Sequence, residues 1–206
     1  MIEILSNISY YLVSAIGSLG YMGIFLLMAI ESTIFPLPSE LVLIPAGFLA
    51  FQGELKVFPI IILSTLGSLF GSLVMYYLSF QVGRKAFLMI VKKYGKLVFL
   101  DLRSLIKTEN YFRNHGQITV FVGRIIPVVR HLISIPAGFA RMPIYSFIVY
   151  TSIGSAFWSV ILVCFGFYLG IANAKANFNL VIMSLIIFSA VLVAVYVTVR
   201  ILIRRN

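Results

Sequence analysis

Acidic side chains are what this chain of 206 residues has least of: six Asp and Glu stand against 16 Lys and Arg, for a net charge of +10. Charged residues of either sign amount to 11%, whereas 61% of the chain is hydrophobic and the mean hydropathy is +1.07. A soluble domain carries about 25% charged residues, and so few here could not cover the surface of a water-soluble globule with this much apolar content. Soluble enzyme folds are thereby excluded. The one cysteine, Cys164, rules out a disulfide framework and a cysteine-based metal cluster, and its apolar surroundings predict a small buried thiol. Neither a metal nor a cofactor is expected. The first apolar stretch, Ile4 to Ile30, follows Glu3 instead of a positive segment and exceeds a signal-peptide core, so it reads as mature sequence.

The basic residues that are present cluster. Eight of the 16 (Arg84, Lys85, Lys92, Lys93, Lys96, Arg103, Lys107 and Arg113) fall between residues 84 and 113, interleaved with Phe87, Leu88, Ile90, Val91, Leu97 and Phe99. Lys and Arg concentrated between apolar segments mark the cytoplasmic side of a membrane protein, so nucleic acid is not an expected partner. The stretch is predicted to be an amphipathic basic connector against anionic headgroups. Arg200, Arg204 and Arg205 close the last apolar run and put the C-terminus on the same side.

Three uncharged segments, 57 to 83, 142 to 174 and 176 to 199, exceed the ~20 residues that a spanning helix needs. The polar start of the stretch 4 to 30 suggests an interfacial beginning and a tilted span from about Leu19. Two further apolar stretches are interrupted: 34 to 51 contains Pro36, Pro38, Pro45 and Glu40, and 117 to 140 contains Pro127, Pro136, Arg124 and Arg130. Proline removes a helix hydrogen bond, so neither should be a straight span. The following spans already return the chain to the cytoplasm, and a third crossing at 117 to 140 would leave the basic tail outside. That stretch should therefore enter and leave on the cytoplasmic side.

The interrupted stretches also resemble each other. At an offset of 91, seven positions in 13 coincide, among them Pro36, Pro45, Ala46, Gly47 and Phe48 with Pro127, Pro136, Ala137, Gly138 and Phe139. At an offset of 87, Gly67, Ser68, Phe70, Ser72, Phe80 and Gly83 meet Gly154, Ser155, Phe157, Ser159, Phe167 and Gly170. The predicted fold is an all-α integral membrane protein forming a single transmembrane domain over residues 1–206. It is an inverted repeat of a re-entrant broken-helix hairpin plus a transmembrane helix. Repeat 1 covers about 31–83, the cytoplasmic basic connector 84–113, repeat 2 about 122–170 and a C-terminal helix 176–203. Paired, Pro/Gly-interrupted segments in inverted repeats are the pattern of transporters that bind substrate near the midplane.

Four ionisable residues lie within these elements: Glu31 and Glu40 in the first copy, Arg124 and Arg130 in the second. Burying four uncompensated charges at membrane depth would cost about 10 to 14 kcal/mol on the lenient insertion scale, so pairing or hydration in a cavity is required. The offset of 91 sets Glu40 over His131, placing acids and bases on opposing hairpins. Arg124 and Arg130, six residues apart around Pro127, can converge on one point, where forked donors and the amides freed at the break suit a phosphate. Glu31 and Glu40 suit proton acceptors that respond to occupancy of the arginines. His131 is a candidate accessory to a proton relay, and Arg141 a candidate rim contact to lipid phosphate or a snorkelling residue. His115 reads as a cap or interface residue, and the lone Trp158 as span packing or an interfacial belt residue.

Glu31, Phe35-Pro36-Leu37-Pro38-Ser39-Glu40, Gly123-Arg124-Ile125-Ile126-Pro127-Val128-Val129-Arg130 and Pro136-Ala137-Gly138-Phe139-Ala140-Arg141 together resemble the DedA family of bacterial membrane proteins. That family is characterised by the SNARE-associated, or VTT, domain, and the resemblance covers about residues 20 to 170. It implies two re-entrant hairpins in the cytoplasmic membrane and transport of phosphate-bearing lipids, undecaprenyl phosphate in some members and phosphatidylethanolamine in others. By the same resemblance Glu31 and Glu40 match an acidic pair tied to proton-dependent function, and Arg124 and Arg130 match essential arginines. His131 departs from the small or hydroxyl residue expected after that arginine. The expected function is recycling or flipping of undecaprenyl phosphate; the alternatives are a phospholipid flippase or scramblase, or a proton-coupled small-ion antiporter. A membrane phosphatase would need a nucleophile beside an acid or base, or a metal, which two isolated histidines do not supply. The expected partners are a lipid substrate, the membrane and, as an open alternative, further copies of the chain.

Overall fold

The computed structural model of the chain describes Ile16 and residues 19–33, 38–98 and 102–172. Seven helices cover most of them: α1 (Leu19–Glu31), α2 (Glu40–Phe51), α3 (Val57–Val98), α4 (Leu102–Ile125), α5 (Pro127–Leu132), α6 (Ser134–Phe139) and α7 (Ile144–Ala172). The expected C-terminal span at 176–199 lies outside the described residues.

Among the described residues, two stretches are long and apolar enough to cross a membrane, Val57–Gln81 of α3 and Ile144–Ile171 of α7. At about 1.5 Å per residue they reach about 38 and 42 Å, more than the ~30 Å apolar core of a bilayer. The faces of α3 invert the usual order of a soluble helix. Ser64, Gly67, Ser68, Gly71, Ser72 and Ser79 are buried, while Phe58, Ile62, Leu66, Phe70 and Val74 recur every four residues on the exposed side. Small residues inside and large apolar residues outside are what lipid selects, because helices in a bilayer associate by close packing and interhelical hydrogen bonds. Cys164 is exposed on α7, contrary to the buried thiol expected from its apolar neighbours. Leu162, Val163 and Gly166 form the buried side there, so an apolar run in this helix marks an outward face as readily as a core.

Elsewhere the sequence-based expectations hold in part. α1 is 13 residues in its described extent, about 20 Å and short of a full crossing. α3 continues unbroken to Val98, so the first half of the basic connector prolongs the span. Pro127 does break its stretch: Ile126 is extended (φ −87°, ψ 117°) and Pro127 opens α5, where its missing N–H is harmless. Pro45, by contrast, is accommodated inside α2, and Pro136 lies within the first turn of α6. α4 kinks at His115 (φ −130°, ψ 21°), so this exposed residue is a bend inside a helix instead of a cap.

The described chain forms two compact units. One comprises residues up to Leu27, Leu37–Ser64 and Ser159 onward; the other comprises Met28–Pro36 and Thr65–Trp158. In the first, a Cβ on Gly47 would strike the carbonyl of Val163 and crowd the amide of Phe167, and Gly166 stands equally close to the backbone of Ile44. In the second, a Cβ on Gly138 would meet the carbonyl of Tyr76 and the amide of Phe80. These are backbone-to-backbone approaches that only glycine permits. The second unit has an apolar cluster of Tyr76, Phe112, Val120, Ile133, Ala137, Met142 and Phe147. Tyr76 stacks on Phe147 at 4.7 Å and donates its hydroxyl to the carbonyl of Met142.

Candidate functional site

Glu31 is the last residue of α1 and is fully buried. Its position is set by the residues around it. Ser32 shares a hydrogen bond with Ser68 (2.8 Å), and Ser68 with Ser155 (3.3 Å). Gly71 of α3 leaves no room for a Cβ against the carbonyl of Ala29 and the side chain of Ser32, so α1 ends flush against α3.

Arg124 lies one residue before the end of α4, and the break at Ile126 and Pro127 turns the chain so that α5 and α6 come back beside it. Its Nη1 donates to the carbonyl of Arg130 (3.1 Å) and its Nη2 to Ser134 Oγ (2.9 Å). A short helix leaves its last carbonyls without intrahelical donors, and Arg124 supplies one. Gly154 of α7 accommodates it, since a Cβ there would lie 2.7 Å from that of Arg124. Among the described residues Arg124 Nε has no hydrogen-bond partner.

Arg130 projects from α5 onto Glu31: its Nη2 lies 3.2 Å from Oε1 and 3.3 Å from Oε2, with the two side chains 4% and 0% exposed. The guanidinium also lies over the ring of Trp158, 5.8 Å from its centroid, in cation–π range. His131 completes the group. Its Nδ1 is 3.1 Å from the main-chain carbonyl oxygen of Glu31, and its Nε2 is 3.8 Å from Oε1.

Glu31, Arg124, Arg130 and His131 are thus brought together, as acid and base on separate elements. Glu40 is buried at the start of α2, where the helix dipole favours a carboxylate; it belongs to the other unit. Arg141 is exposed and lies over Phe80, 5.3 Å from the ring centroid. It adopts a left-handed φ of 51° just after the C-cap of α6, donating its N–H to Gly138 while Met142 donates to Ala137. Five residues were not foreseen in these roles. Trp158 is buried beneath Arg130 and is not a belt residue. Ser134 and the serine chain 32–68–155 carry hydrogen bonds that single-residue reading missed; the signal was the four-residue spacing Ser64, Ser68, Ser72 and the repeated Gly-Ser pair.

Among the described residues of this unit, two buried guanidiniums stand with one buried carboxylate, so with His131 neutral these three side chains sum to one positive charge. In geometry, a forked guanidinium matches the oxygens of a phosphate.

The VTT domain model matches residues 37–168, and the chain belongs to that family of membrane proteins, which is the DedA resemblance read from its motifs. The chain is 33% identical to Undecaprenyl phosphate transporter A of Bacillus subtilis over 188 residues, 89% of each protein. It is 31% identical to the protein of the same name in Staphylococcus aureus, covering 90% of this chain and 92% of that one. An Alkaline phosphatase-like protein of Lactococcus lactis subsp. lactis is 33% identical over 89% of this chain and 90% of its own length. No solved structure matches.

Proposed function

We propose that the chain is a proton-coupled translocase of a polyprenyl phosphate, such as undecaprenyl phosphate, in the bacterial cytoplasmic membrane. The observation that carries this reading is the excess buried positive charge of Arg124 and Arg130 over Glu31. A phosphate group would neutralise it, held by the Arg130 fork and by Arg124 Nε, with Glu31 as the carboxylate it displaces. Glu31 and Glu40 act as proton acceptors, and His131 and Arg141 are accessory. The names of two relatives support the substrate class, since both are called undecaprenyl phosphate transporters. The role is transport and not hydrolysis, the chemistry that the name of the Lactococcus relative would suggest.

The architecture belonging to this reading is an inverted repeat of two re-entrant hairpins, repeat 1 at about 31–83 and repeat 2 at about 122–170, with a cytoplasmic tail. Two observations support it. The glycines that pack against a span, Gly47 and Gly138, differ by the same 91 residues that align the hairpins, and their partners Val163 and Phe167 differ from Tyr76 and Phe80 by the same 87 that align the spans. Ser68 and Ser155, equivalent at that offset, bond to each other.

The test is flux in proteoliposomes, with polyprenyl phosphate, phosphatidylethanolamine and a pH probe run side by side. Movement of the polyprenyl phosphate that depends on a proton gradient is expected. Proton movement with no lipid transport would overturn the reading in favour of an ion antiporter.

A further inference from the structure

We infer that the proton accepted at the phosphate site is shared by Glu31 with His131 and enters through the imidazole: when a phosphate takes the Arg130 fork, Glu31 is released to His131 and the pair takes up one proton from solvent. The inference rests on the phosphate-binding reading above and names its coupling group.

The orientation of the imidazole carries it. The main-chain oxygen of Glu31 can only accept, so the nitrogen 3.1 Å from it, Nδ1, bears a hydrogen. In a neutral imidazole the other nitrogen is then a bare acceptor. That nitrogen, Nε2, faces Glu31 Oε1 at 3.8 Å. Two lone-pair atoms therefore oppose each other across a gap that a proton would close, and the contact is tolerated while Arg130 Nη2 lies within 3.3 Å of both carboxylate oxygens.

Among the described residues, the charges facing His131 are Glu31 at the end of α1, Arg124 from α4 and Arg130 in its own helix. Without substrate they sum to +1, and an imidazolium would raise the sum further. A phosphate monoester dianion brings it to −1, and one proton on Nε2 restores neutrality. In that step an Nε2–H bond forms with a proton supplied by water, and the opposed acceptors become a charge-assisted hydrogen bond. The His131 side chain is 18% exposed and that of Glu31 is 0%, so of the two groups the histidine is the one a proton can reach from outside the protein.

The test titrates the purified full chain with farnesyl phosphate near pH 7, by calorimetry in two buffers of different ionisation enthalpy. Binding is followed independently by fluorescence of Trp158, the one tryptophan, which lies against Arg130. Uptake of about one proton per phosphate bound is expected for the wild type. The ligand's own second ionisation, at about pH 6, gives release and so has the opposite sign. His131→Gln and His131→Asn should bind with altered affinity and take up no proton. Binding to the wild type without uptake, or uptake unchanged in both variants, overturns the inference and leaves the phosphate-binding reading standing. Absence of binding to monodisperse wild type overturns both.

Discussion

Changing Glu31 to Gln keeps the size of the side chain and removes its charge. Arg130 Nη2 lies 3.2 and 3.3 Å from the two carboxylate oxygens, and the pair is almost wholly buried. At an effective dielectric of about 20 the Coulomb attraction at that distance is about 5 kcal/mol, and removing one partner of a buried pair costs about 3 to 5 kcal/mol. The substrate-free variant should therefore melt on the order of 10 °C lower than the wild type. The same substitution removes the group that competes with phosphate for Arg130, so farnesyl phosphate should restore more stability to the variant than to the wild type. Each tenfold gain in affinity adds about 1.4 kcal/mol of stabilisation at a fixed, saturating ligand concentration. Melting curves in detergent, with and without ligand, measure both effects. A Glu31→Gln protein that melts with the wild type, or gains no more than it from ligand, would refute the assignment of Glu31 as the resident partner of Arg130.

Three further outcomes are expected. Arg130→Lys should stay folded, because an ammonium still pairs with Glu31, yet lose most lipid transport through loss of the fork; Arg124→Lys should instead lose stability, since one ammonium cannot reach both Arg130 O and Ser134 Oγ as the guanidinium does. Well-folded Lys variants with full transport would rule out the phosphate clamp. Single-cysteine labelling in a Cys164→Ser background, harmless because Cys164 is exposed, should find positions 101, 114 and 141 accessible from the cytoplasm and 173 from outside; labelling of 114 and 141 from opposite sides would rule out the re-entrant hairpin.

The two spans, the break at Pro127 and the need of the buried charges for partners were legible in the sequence because each follows from a local rule, whereas the repeat offset set Glu40 against His131 where the structure has Glu31. Hydropathy marks a span, a missing N–H ends a helix, and a charge at membrane depth requires a partner. Less legible was what depends on contacts between distant segments. Pro45 looks like a second breaker, but losing one hydrogen bond does not end α2. Trp158 and Arg130 are 28 residues apart, and nothing near either predicts their stacking. Cys164 has the same apolar neighbours whether its face meets protein or lipid. The repeat contained more than hydropathy did, since its offsets reappear in the contacts of Gly47 and Gly138.

The packing of Gly47 and Gly166 bears on biosynthesis. α2 finds its partner in the second half of α7, in a unit assembled from chain segments that flank the whole of Thr65–Trp158. More than a hundred residues separate Phe51 from Gly170, so at about 5 to 20 residues per second α2 waits roughly 6 to 24 s for the surface that will receive it. Through that interval Glu40 and the rest of the proline-containing α2 have no native neighbour from α7. A nascent chain released between residues 100 and 140 would contain α2 without its partner, and such truncated chains should be cleared by membrane quality control and not accumulate as half-size proteins.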